Sequence, residues 1–185
     1  MDTGGFKMAT ITLVDYILHM ADVEYGVATI SNADFIHGYP ITNVCNNLYL
    51  GSKFNIERSE HRAHDITCAV NVGGIHAYPL ADHGIEHYYT FAMEDDFEDI
   101  RSVIAYIDEA LEKIHEKLME GHNVIVHCYS GMNRSALTCA AYLIRYMNLD
   151  PADAILHIRS GRPFALANPA FVRYLMNLRE PQKLA

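Results

Sequence analysis

The chain is poor in positive charge. Its 14 Lys and Arg stand against 23 Asp and Glu, a net charge of −9 over 185 residues. Tight nonspecific binding to nucleic acid or to an anionic membrane needs a cationic surface, so both are excluded as general partners. A local basic pocket remains allowed. Long apolar runs are also missing, because Asp15, His19 and Arg145 break the longest stretches well short of a membrane span. No basic segment leading into an apolar run opens the chain, so no signal peptide is expected. Cysteine is scarce: Cys45, Cys68, Cys128 and Cys139 include no CxxC pair and no dense framework, which suits a reducing compartment. These absences together imply an intracellular, soluble protein. There is no internal repeat and no low-complexity segment. What is present is ordinary for one globular domain with a substantial core: 50% hydrophobic and 20% charged residues.

Two regions separate by pattern. In residues 1–40, Ile11, Leu13, Val14, Ile17 and Leu18 recur at helical spacing within Thr10 to Met20, followed by a linker with Gly26, Asn32, Gly38 and Pro40. Such an amphipathic helix must bury its stripe, either on its own body or on a second copy of the chain. The body, residues 41–185, opens with a strand at Asn47–Gly51. A buried strand follows over Ile66–Val72, closed by Gly73-Gly74, and a third over His87–Met93. Ile100, Val103, Ile104, Ile107, Leu111, Ile114 and Leu118 spell an amphipathic helix stopped by Gly121, with Asp99 as its N-cap. Asn123–His127 is a fourth strand, and Ser135–Met147 a helix apolar nearly all round. Asp150-Pro151 and Asn168-Pro169 each give a cap and first-turn proline for two further helices. Strands alternating with helices predict an α/β body with a mostly parallel central sheet flanked by helices, plus the extra N-terminal helix.

The fourth strand leads into His127-Cys128-Tyr129-Ser130-Gly131-Met132-Asn133-Arg134-Ser135. A Cys-x5-Arg spacing is weak alone, and the chain carries its own control: Cys139 and Arg145 share it inside one helix, where backbone amides cannot wrap an anion. Cys128 instead follows a buried strand, at the sheet edge where ligands bind in open α/β folds. Gly131 lets the backbone curl, turning the amides of residues 129–134 inward, and the next helix aims the positive end of its dipole at the same spot. Those donors suit a phosphate and also stabilise a thiolate. Arg134 supplies a planar fork for two phosphoryl oxygens. Ser135 can donate to the sulfur when a thiolate has to leave, and His127 is placed to orient the loop.

This segment resembles the HCxxGxxRS signature of the dual-specificity protein phosphatases. Other parts are similar in the same order: Asn47-Leu48-Tyr49-Leu50-Gly51 looks like the family's opening strand, and Phe91-Ala92-Met93-Glu94-Asp95 like its general-acid segment. Arg159-Ser160-Gly161-Arg162-Pro163 with Asn168-Pro169-Ala170-Phe171 resembles its closing motif, whose asparagine braces the phosphate loop. The short body behind an N-terminal helix most resembles the poxviral H1-type enzymes, in which that helix swaps between subunits of a homodimer.

The resemblance implies a protein-tyrosine-phosphatase-like fold, with residues 41–185 as the catalytic domain. The implied activity is hydrolysis of phosphotyrosine and phosphoserine/threonine on proteins through a phosphocysteine. It also implies a viral enzyme acting on host signalling or virion proteins, in host cytoplasm or virion. Cys128 would be the nucleophile, Arg134 and residues Tyr129, Ser130, Gly131, Met132 and Asn133 the phosphate cradle. Ser135 would assist the sulfur, with His127 and Asn168 in support. Asp95 is the aligned general acid, one position nearer the following helix than the family's usual spacing, which keeps Asp96 and Glu94 as alternatives. Glu60-His61-Arg62-Ala63-His64 and His115-Glu116 complete no known ligand set, so no metal or cofactor is expected. An RNA 5′-triphosphatase or a phosphoinositide phosphatase would use the same loop. The neutral loop residues and acidic balance rank both lower, and the intact Cys128 and Arg134 disfavour a non-catalytic binding module.

Overall fold

The strand that carries the thiol sits at the centre of the sheet. In the computed structural model, which describes residues 39–74 and 84–178, β5 (Asn123–Cys128) lies between β2 (Leu48–Ser52) and β3 (Ile66–Asn71), parallel to both. Beyond β3 lies β4 (His87–Thr90), again parallel, and beyond β2 lies β1 (Thr42–Cys45), antiparallel, giving the order β1-β2-β5-β3-β4. The central strands are apolar at nearly every position because both sheet faces are covered. Val124 and Val126 point into the larger core with Leu48, Leu50, Cys68 and Val70, whereas Ile125 joins Ile41, Ile56, Ile66 and Ala69 on the other face.

The larger core is roofed by four helices. Helix α2 (Arg101–Met119) buries Val103, Ile107, Ala110, Leu111 and Ile114, the stripe its spacing predicts, and Gly121 leaves it at φ +91°. Helix α3 (Arg134–Met147) buries every residue from Ser135 to Ile144. Helices α4 (Pro151–Gly161) and α5 (Pro169–Met176) start on Asp150 and Asn168, whose side chains accept from the amides of Ala152 and Ala170. The mostly parallel α/β arrangement therefore agrees with the expected fold class.

Several boundaries differ from expectation. The strand expected to reach Met93 ends at Thr90, because the Met93 amide donates back to the Phe91 carbonyl and the chain turns away from β3. Strand β1 was not foreseen, nor was α1 (Lys53–Glu57), whose start is a capping box between Ser52 and Asn55. Ile100, and not Asp99, takes the cap position of α2, although Asp99 Oδ1 still accepts from the Arg101 amide at 2.9 Å. The helix expected within Thr10–Met20 and most of the 1–40 segment lie outside the described residues. Among the described residues no helix is long and apolar enough to cross a membrane.

Candidate active site

Cys128 closes β5, and Gly73, at the end of the neighbouring β3, packs directly against it: a Cβ on Gly73 would lie 3.1 Å from the Cys128 Cα. The thiol is buried, and behind it Ser135 Oγ stands 3.3 Å from Sγ and 3.4 Å from the Gly51 carbonyl. The hydroxyl stands within reach of both sulfur and carbonyl and can serve either neighbour. His127 is buried beside them, with Nε2 3.2 Å from the Tyr88 hydroxyl and its ring tilted 51° to that phenol. It holds the strand end and is not presented to solvent.

From Cys128 the backbone curls through Gly131, at φ +75°, into the first turn of α3. Among the described residues the backbone amides of 129 to 133 donate to no backbone carbonyl, so the curl leaves its donors free for an anion. The Met132 carbonyl accepts from the Leu166 amide at 2.9 Å, which pins the far side of the loop to the segment before α5. Arg134 Nη1 donates to the carbonyls of Gly73 and Met93, each at 3.3 Å, fixing the plane of the guanidinium. Its Nε is buried without a hydrogen-bond partner, 4.0 Å from Asp95 Oδ2. A buried cationic donor lacking an acceptor is costly unless a ligand supplies one.

The carboxylates of the acidic run separate clearly. Asp95 Oδ2 accepts from Asn133 Nδ2 at 3.1 Å and Oδ1 from Asn168 Nδ2 at 2.9 Å, so this carboxylate is clamped to the anion loop. Asp96 instead caps its own turn, accepting from the amides of Glu98 and Asp99, and those two bonds hold its pKa below the usual carboxylate value. The Glu94 amide donates to Ser102 Oγ at 2.9 Å, tying that end of the loop to α2.

The expected residues Cys128, Arg134, Ser135, Asp95, Asn133 and Asn168 are thus brought into one cluster, with Tyr129, Ser130, Gly131 and Met132 in the loop. Asn168 contacts more than the anion loop it was expected to brace. Its side chain donates to Asp95 and to the Asp96 carbonyl at 2.8 Å, while its backbone amide donates to Asn133 Oδ1 at 3.1 Å. It braces the acid loop as well as the anion loop.

Sequence reasoning missed three neighbours. Arg162 is fully buried beneath Gly131, donates to the Pro40 carbonyl at 2.8 Å and stacks on Tyr39. Lys53 and Phe54 make a lip with Tyr129, the ammonium 4.7 Å from the tyrosine ring centre and the two rings edge to face. Arg162 falls in a recognised motif, but nothing in its spacing signals burial. Lys53 and Phe54 follow directly on the strand that parallels β5, which is the available hint. The control pair behaves as structure: Cys139 is buried in α3 and Arg145 pairs with Asp108. Of the histidines weighed for metal, His115 contacts Tyr142 and Tyr146, and His64 lies against Tyr49.

Residues 48–181 match the family described as dual specificity phosphatase, catalytic domain. The chain belongs to the dual specificity phosphatases. It is 30% identical over 143 residues to dual specificity protein phosphatase 1 of Arabidopsis thaliana, covering 75% of this chain and 68% of that one. Against dual specificity phosphatase 28 of Homo sapiens it is 30% identical over 142 residues, covering 76% and 78%. Among solved structures, human DUSP28 superposes with a TM-score of 0.64 at 28% identity, over 74% of this chain and 90% of that one. DUSP15 does so with 0.66 at 26% identity, over 75% and 86%. The protein is a cysteine-based phosphatase of dual specificity, for phosphotyrosine and phosphoserine/threonine.

Proposed function

We propose that Cys128 is the nucleophile of this phosphatase and Asp95 its general acid and base. In the first step Sγ attacks phosphorus, the bond from phosphorus to the seryl, threonyl or tyrosyl oxygen breaks, and Asp95 delivers its proton to that oxygen. The free loop amides and the Nε edge of Arg134 hold the phosphoryl oxygens, supplying positive charge where negative charge accumulates. In the second step water attacks phosphorus, the Asp95 carboxylate takes its proton, and the S–P bond breaks as Ser135 donates to the departing sulfur. The observation that carries this reading is the alignment of Ser135 Oγ behind Cys128 Sγ at 3.3 Å, with the Asp95 carboxylate clamped to the same loop through Asn133.

Replacing Cys128 with serine removes the thiolate and keeps the cradle. Turnover is expected to fall by about 10⁴-fold or more, while a phosphopeptide still binds with a dissociation constant within a few-fold of its KM. Undiminished turnover in Cys128→Ser refutes the mechanism. Parallel assays on a phosphopeptide, a triphosphate-ended RNA and an inositol phospholipid test the substrate class, and RNA as the sole good substrate overturns it. The same variant serves as a trap for phosphoproteins of host signalling or of a virion, the substrates that the resemblance to the poxviral H1-type enzymes implies.

The apolar spacing of Ile11, Leu13, Val14, Ile17 and Leu18 supports a homodimer built through the helix expected from that spacing. The full chain is expected to have twice the monomer mass in solution, and a chain beginning at Ser31 the monomer mass. Equal oligomeric states for the two remove the helix from the interface.

A further inference from the structure

At the end of the sheet away from the thiol, the chain gathers a second set of chemistry-bearing side chains that the phosphatase reaction does not use. His122 precedes β5, and Glu86 precedes and His87 opens β4, on either side of the β3 residue Thr67. One ligand atom from each of Glu86, His87 and His122 lies within 4.8 Å of the other two, and the two imidazole centres are 4.6 Å apart at 78°. Cys128 lies six residue steps along the extended chain from His122, about 20 Å at about 3.3 Å per residue. The cluster is therefore outside the catalytic pocket.

We propose that Glu86, His87 and His122 form a binding site for a divalent transition-metal ion, with zinc the preferred ion by the chemistry of the ligands. Two imidazoles and one carboxylate are a recurrent zinc set, completed by a water in the fourth position. Zinc bonds of about 2.0–2.2 Å place tetrahedral ligands about 3.3–3.6 Å apart. The cluster closes to that spacing by modest side-chain rotation, which the exposed Glu86 and half-exposed imidazoles permit. The Nδ1-protonated tautomer of His122 is the one that suits a metal. Thr67 Oγ1 lies 2.9 Å from His122 Nδ1, and a hydroxyl accepting from that N–H leaves the Nε2 lone pair for the metal, the arrangement that orients ligating histidines generally. The Glu86 amide donates to the Thr67 carbonyl at 2.8 Å, so the carboxylate ligand and the orienting threonine share one rigid strand end. Glu120 adds negative charge 3.7 Å from His122 Nε2, and Lys117 holds that carboxylate at 2.7 Å, so it stays beside the site as an outer charge. A bound ion clasps the edge strand β4 to the turn before β5 across β3. Sequence spacing hides the set, since His87 and His122 lie on different elements and only the parallel sheet aligns them.

The test uses the full, untagged chain with Cys128→Ser, so that the catalytic thiolate cannot bind zinc. Titration with zinc ion alone, followed by calorimetry, is expected to show one ion per chain and a zinc-dependent rise in melting temperature. His122→Ala and Glu86→Gln in that background should each weaken binding by tenfold or more, and His115→Ala should leave it unchanged. Glu86 is exposed, so its variant tests the ligand without disturbing the core. X-ray absorption should report nitrogen and oxygen neighbours with no sulfur. Zinc affinity that is the same in Glu86→Gln and His122→Ala as in their parent, or no binding by the parent, overturns the proposal.

Discussion

A methyl group on Gly131 would lie 2.7 Å from the Gly51 carbonyl oxygen and 2.8 Å from Arg162 Nη1, and the residue's φ of +75° already disfavours a side chain. Neither neighbour can give way. Gly51 belongs to β2, packed against β5, and Arg162 is fully buried with its guanidinium bonded to the Pro40 carbonyl and stacked on Tyr39. Burial lowers the Arg162 pKa, and negative charge on the nearby Cys128 works against that fall. Gly131→Ala is expected to cost about 1–3 kcal/mol in strain and to lower the melting temperature by several degrees. Activity should fall far more than stability, because the displaced loop no longer presents its amides to the phosphoryl group. Thermal denaturation and kcat/KM on the same preparation check this; a variant that keeps near-parental kcat/KM shows that the loop tolerates the methyl group and that its curl is not limiting.

The loop between β4 and α2 is an element defined by what its carboxylates accept. Asp96 caps the turn and is held ionised by the Glu98 and Asp99 amides, which makes it a poor proton donor. Asp95 reaches across to Asn133 and Asn168 and stands 4.0 Å from Arg134. Asp95→Asn should therefore lower kcat on a phosphoserine peptide by about 10²–10⁴-fold, with a much smaller loss on an aryl phosphate whose leaving group needs no proton. Asp96→Asn keeps an oxygen for the two amides and should cost only a few-fold. A larger loss from Asp96 than from Asp95 reverses the assignment. The ambiguity between these neighbours in the sequence had a physical origin, because spacing counts residues and the turn closed by Asp96 shortens the loop by folding it. Elements made by local periodicity were legible: α2 and α3 from their apolar spacing, α4 and α5 from Asp150-Pro151 and Asn168-Pro169. Of the elements made by pairing, β2, β3, β4 and β5 were legible to within a few residues, and β1 was not. Strand β1 has four residues and is joined to β2 through Asn46, at φ +43°, and its apolar pattern is too short to stand out. Phe91 to Met93 reads as a continued strand, yet pairing with β3 stops once the Phe91 amide has donated to the Asn71 carbonyl. At the site, Cys128, Arg134, Ser135 and Gly131 followed from chain order, whereas the bridge from Asn133 to Asp95 and Asn168 joins three segments that only the fold brings together.

At the scale of the whole molecule the net charge of −9 acts on every approaching substrate. Glu94, Asp95, Asp96, Glu98 and Asp99 lie in the loop that brings Asp95 to the pocket, Arg101 pairs with Asp99, Arg134 stands 4.0 Å from Asp95, and Lys53 sits over the Tyr129 ring at the lip. A polyanion such as RNA or an inositol phospholipid surface meets repulsion along most of its length and attraction only at the reacting phosphate. A phosphopeptide flanked by Lys or Arg meets the opposite field. Raising ionic strength from about 0.01 M to about 0.15 M shortens the screening length from about 30 Å to about 8 Å, which removes most of both effects. Across that range kcat/KM is expected to fall for a basic-flanked phosphopeptide and to rise for the same phosphorylated residue between Asp and Glu. The dependence should reside in KM, because the buried groups around Cys128 are little screened. If added salt instead slows turnover of the acidic peptide, the local field of Lys53 and Arg134 governs substrate approach, and Lys53→Ala should then abolish that dependence.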